Sequence, residues 1–163
     1  MRIWPRRATT PKPQTCVGQW LRAGLLNQQE LRDRLKATLN GGKPGWNYDE
    51  PFVVGCVCEI AARKVFPAGL DIQAVSAFVT DMRSRIRSTP PPDQLVCKAL
   101  IRDALGDKVD YTNISVEKMF FAQWVIAGMA VVSLGLGEAA IDEMILEGER
   151  RAFDGGWHPP LAS

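Results

Sequence analysis

A chain of 163 residues, 46% apolar and 23% charged, is long enough to bury a core of its own and too apolar to remain disordered. Its net charge of only +2 does not imply a bulk polyanion-binding surface. Four cysteines (Cys16, Cys56, Cys58 and Cys97) in a chain so well supplied with core residues read as free, buried thiols of a reducing, cytoplasmic protein rather than as disulfide staples.

The first 14 residues, "MRIWPRRATTPKPQ", read as an extended basic tail. They hold Arg2, Arg6, Arg7 and Lys12, three prolines and little to bury. No apolar run follows the arginines, so no secretory signal is expected, and the prolines argue against the amphipathic helix of a transit peptide. The helical domain is expected over 15–153. It opens with a short helix that places Val17, Trp20, Leu21 and Gly24 on one face. The next helix has Asn27 as its cap, Glu30 as the capping-box partner and Leu26 stapled on Leu31. Leu31, Leu35 and Leu39 form a narrow stripe that suits either a core or a homo-oligomer contact, and Gly41-Gly42 ends it.

"GGKPGWNYDEP" is a loop. From Asp49 or Glu50 to about Phe66 the apolar residues go nearly all round, as in a mostly buried helix. A strand over Phe52–Val57 is the alternative, because a short β-branched run suits both. Asp71 caps the following helix, whose stripe is Ile72, Val75, Phe78, Val79, Met82 and Ile86. Prolines 90–92 separate it from a helix closed by Gly106.

Thr112, Asn113 and Ser115 offer caps for a long helix over 114–134. Residues 119–137 carry no charge, and at helical rise they span roughly 28 Å, enough for a bilayer core. Gln123 and Trp124 inside the stretch, and acids rather than bases after it, favour a buried central helix over a membrane span. The last helix, about 138–152, presents Glu138, Asp142, Glu143, Glu147 and Glu149, read as a solvated face. Residues 154–163, "DGGWHPPLAS", read as a loose C-terminal tail. The fold class is therefore all-α: a single-domain bundle of about six helices around a central hydrophobic helix at 114–134.

Chemical motifs are missing. Cys56 and Cys58 point about 200° apart on a helix and cannot grip one ion. His158, the one histidine, stands in the tail without a nucleophile nearby. No catalytic triad signature or phosphate loop occurs, and Gly135-Leu136-Gly137 lies between helices. No catalytic residue, cofactor or metal ligand is assigned. The chain reads as a non-enzymatic adaptor, scaffold or assembly subunit that binds a protein partner. The loop aromatics Trp4, Trp46, Tyr48 and Trp157 are its candidate contacts, because exposed aromatics anchor partners. Two alternatives are a membrane-anchored protein spanning at 119–137 and a nucleic-acid-binding module. In the latter, Arg83 and Arg87 share a helix face and would meet phosphates.

Overall fold

The computed structural model describes residues 11–87 and 89–163. Trp4 and the arginines of the tail lie outside the described residues. Among the described residues seven α-helices follow in order: α1 (Cys16–Leu25), α2 (Gln29–Lys36), α3 (Glu50–Val65), α4 (Ile72–Ser84), α5 (Gln94–Ala104), α6 (Val116–Leu134) and α7 (Glu138–Asp154). A 3₁₀ turn over Leu39–Gly42 joins α2 to α3. The described residues contain no β-strand, so the chain is an all-α bundle.

Side-chain oxygens start the helices where the chain changes direction. The Asp71 carboxylate accepts from the N–H groups of Gln73 and Ala74, and Asp93 does the same for Leu95 and Val96. Ser115 accepts from Lys118 N–H. Each satisfies a donor that a helix start leaves orphaned. Gly135, with φ 61°, closes α6 in the left-handed conformation.

The core has two lobes. In one, Val17 and Leu21 of α1 meet Val53, Val54 and Val57 of α3, Ala127 and Ala130 of α6, and Ile141, Met144 and Ile145 of α7. In the other, Cys58 and Ala62 of α3 meet Val75, Val79 and Met82 of α4, Cys97 and Ile101 of α5, and Ala122 and Ile126 of α6. Helices α3 and α6 run through both lobes, so the expected apolar helix shares the centre with α3. Helix α3 touches α1, α5, α6 and α7. Its crossing with α7 is tight: a Cβ on Gly148 would stand 2.5 Å from Val57 Cγ2 and 3.2 Å from Val57 N.

Several expectations are corrected. Asn27 does not cap α2; it ends α1. Its φ is 57°, its N–H donates to Gly24 O at 3.1 Å, and Gln28 N–H donates to Ala23 O at 2.8 Å. That pair of bonds is a Schellman closure, which accepts asparagine at its left-handed position. Helix α2 stops at Lys36 with no buried residue, so the leucine stripe is only half covered and Leu39 belongs to the 3₁₀ turn. Phe52–Val57 is helical, not a strand.

The acids of α7 are not all solvated. Asp142 is 2% exposed and Glu149 3%. Asp142 accepts from Arg22 Nε at 2.5 Å, and the same guanidinium also reaches Glu138. Glu149 accepts from Gln14 N at 3.0 Å, Thr15 N at 2.8 Å and Thr15 Oγ1 at 2.7 Å. Thr15 Oγ1 in turn caps α1 by accepting from Gly18 N. Glycine at position 18 leaves room for this network, since a Cβ there would fall 2.2 Å from Glu149 Oε1 and 2.8 Å from Thr15 Oγ1 and force both to shift.

Nor is the C-terminal segment loose. Leu161 pairs with Thr15 in an antiparallel bridge, Ala162 N–H donates to Gln14 O at 2.8 Å, and Cys16 N–H donates to Pro160 O at 2.9 Å. Segments 14–16 and 160–162 therefore hold each other against α7.

Candidate functional site

Helix α6 has two apolar faces with different fates. Ala122, Ile126, Ala127 and Ala130 are fully buried against α3 and its neighbours. Phe121, Trp124, Val125, Gly128 and Val132 recur at helical spacing on another face. They form the floor of an open groove of about 720 Å³. Gly24 and Leu25 of α1, Arg32 of α2, and Met82, Arg85, Ile86 and Arg87 in and after α4 wall it. Val132 is 64% exposed. A Cβ on Gly128 would meet nothing within 4 Å, so the floor is open at its middle.

Aromatic packing fixes the floor. The Arg32 guanidinium lies over the Trp124 ring, 5.0 Å from its centroid, a cation–π contact. Trp20 packs beside Trp124 at 6.1 Å and stacks on Phe120 at 5.8 Å. Gly24 leaves the indole room: a Cβ there would sit 3.1 Å from Trp124 Nε1.

The groove is basic. Arg32, Arg85 and Arg87 line it, and no acidic residue does so among the described residues. Arg85 is partly neutralised by Asp81 at 3.1 Å. Among the described residues Arg32 has only the exposed Asp33, at 4.0 Å.

The residues singled out from the sequence scatter. Trp46, 48% exposed, leans edge-on against Phe120 at 5.8 Å and so joins the aromatic row that leads to Trp124. Trp157 stacks flat on Phe52, with centroids 3.6 Å apart. Tyr48 is 74% exposed. Tyr48, Phe52 and Trp157 share the lining of a second cavity of about 510 Å³, together with Gln123 and Glu59. Arg83 is occupied within the fold: its Nε donates to Pro92 O at 3.0 Å. Arg87 points instead to the groove, so the two arginines do not act together. Their shared helix face, offered as a phosphate contact, does not form, because α4 ends at Ser84 and Arg87 lies beyond it.

The thiols are chemically quiet. Cys56 and Cys58 diverge on α3, burial pushes the Cys58 thiol far up, and burial raises Cys97 to about 12. Protonated thiols are poor nucleophiles and poor ligands. His158 lies exposed, with its backbone N–H on Asp49 Oδ2 at 3.0 Å. No group of three or more His, Cys, Asp or Glu residues suited to a metal occurs among the described residues.

The groove was not anticipated from the sequence. Residues 121, 124, 125, 128 and 132 carry the right spacing, but α6 is apolar all round and lacks the polar face that would mark its open side. Comparison of the chain with protein-family models, with curated proteins and with solved structures yields no match.

Proposed function

We propose that this protein is a non-enzymatic adaptor, scaffold or assembly subunit of the cytoplasm, and that it binds a protein partner through the α6 groove. One observation carries the reading: an apolar strip of a long helix, half-buried from Phe121 to Gly128 and 64% exposed at Val132, floors an open groove between walls supplied by α1, α2 and α4. Such faces bind the apolar stripe of another helix. The Tyr48–Phe52–Trp157 cavity is a second candidate surface, but Phe52 and Trp157 are stacked on each other.

The test is native mass measurement of complexes purified from the host, for the unaltered chain and for Val132→Glu. Val132 is exposed, so this change spares the fold. A stoichiometric protein that leaves with Val132→Glu supports the reading. A partner that persists unchanged moves the interface elsewhere.

A membrane-anchored role is the rival reading, because α6 is long and apolar enough to cross a bilayer. It would require α6 to abandon Ala62 and Val57 of α3 in both core lobes. Sedimentation with lipid and a need for detergent would favour it. For nucleic acid, the groove offers an apolar floor where phosphates need donors; a mobility shift at low salt would favour that alternative.

A further inference from the structure

We infer that the groove's occupant is an amphipathic helix of about three turns with acidic flanks. This rests on the groove being the partner site.

Three features define the occupant. The first is length. The floor runs from Phe121 to Val132, roughly 17 Å at helical rise, so a short helix covers it and an extended peptide would leave its own backbone donors unpaired. The second is Gly128. A glycine inside a helix weakens that helix, and here no neighbour within 4 Å demands the missing side chain. What it supplies is depth at the middle of the floor, where a crossing helix makes its closest approach. The third is charge. Arg87 stands at the groove with no ion pair among the described residues, Arg32 lies over Trp124 with only a long contact to the exposed Asp33 at 4.0 Å, and Arg85 shares Asp81. Acidic residues beside the occupant's apolar stripe would meet them.

The same features disfavour the other occupants. A second copy docked face to face would bring the same three arginines together, and like charges across an interface are costly. An anionic bilayer matches the charge but is flat, and the floor is recessed between α1, α2 and α4.

The experiment uses the full chain and two synthetic helical peptides of about fourteen residues. They share one apolar stripe with alanine at its centre; one carries Glu on its flanks, the other Lys. Binding is read by titration calorimetry at low and high salt, beside vesicles containing phosphatidylserine and a mass measurement of the protein alone. The expected result is that the Glu peptide binds about tenfold tighter than the Lys peptide at low salt, with the gap closing as salt rises. Val132→Glu should abolish binding, and Arg87→Glu, at an exposed position away from Trp124, should narrow the preference for the Glu peptide.

Equal binding of both peptides, lost in Val132→Glu, would overturn the acidic flank and leave the groove as the partner site. Tight binding to vesicles but to neither peptide would overturn the helix in favour of lipid. A protein that is dimeric alone, and monomeric as Val132→Glu, would assign the groove to a second copy. Failure of both peptides, with the native partner indifferent to Val132→Glu, would remove the groove reading as well.

Discussion

Arg32 of α2 covers the indole of Trp124 of α6, its guanidinium carbon 5.0 Å from the ring centroid. Helix α2 buries no residue completely, so this contact is a main tie between it and the groove floor. Arg32→Ala is expected to cost about 0.5–1 kcal/mol in urea unfolding, the range of a partly exposed cation–π pair. Arg32→Lys should recover part of that loss. An unchanged midpoint for Arg32→Ala would mean that α2 is held by its leucines alone.

Two glycines should respond in opposite directions. Gly148→Ala drives a methyl to within 2.5 Å of Val57 Cγ2 and also against the α3 backbone. It should destabilise by roughly 1–3 kcal/mol, because overpacking a tight crossing shifts the helices. Gly128→Ala meets open space and should stabilise by about 1 kcal/mol through helix propensity. Thermal melts of both variants check this, and a stabilised Gly128→Ala that binds its partner less well would separate the glycine's use from its cost.

Glu50 gives the fold a pH dependence. It is 6% exposed, one oxygen accepts from Asn40 N–H at 2.6 Å, and the other has no partner among the described residues. Burial pushes its carboxyl above its ordinary value, against the Asn40 bond that pulls it down. The folded state thus holds the proton to a higher pH than the unfolded chain does. By linkage, this group's contribution to stability declines as pH rises from the ordinary carboxylate range through the raised value. Glu50→Gln should therefore gain on the unaltered protein between pH 4 and pH 7. Urea unfolding of both proteins at the two pH values measures it, and an identical gap at both would refute the assignment.

Arg22 and Asp142 form a largely buried pair, with side chains 13% and 3% exposed. Arg22→Ala strands the carboxylate and should cost about 3–5 kcal/mol. Arg22→Met combined with Asp142→Leu should fall much nearer to the unaltered protein, since apolar replacements remove both desolvation costs together. A double-mutant cycle in denaturant reports the coupling.

The sequence was most informative where the signal is local. Asp71 and Ser115 cap where expected, the prolines at 90–92 divide α4 from α5, and the apolar run at 119–134 is one helix. Asn27 misled because its short amide side chain serves at either end of a helix. The acids of α7 misled for another reason. Asp142 and Glu149 are two turns apart on one face, but their partners, Arg22 and Thr15, lie more than 100 positions away, and no local pattern records them. The C-terminal segment is pinned through backbone groups that every residue carries. The groove itself was hidden by the uniformity of α6.

Helix α3 touches α6 and α7, and its Val57 is closed over by Gly148, which follows it by 91 positions. At a synthesis rate of about 5–20 residues per second, that wait lasts roughly 5–20 s. For this interval a nearly all-apolar rod has left the ribosome without its cover and is exposed to every sticky neighbour. Changes that weaken α7 should therefore appear first as lost yield and recruited chaperones in the cell, before any purified sample shows a lower melting point.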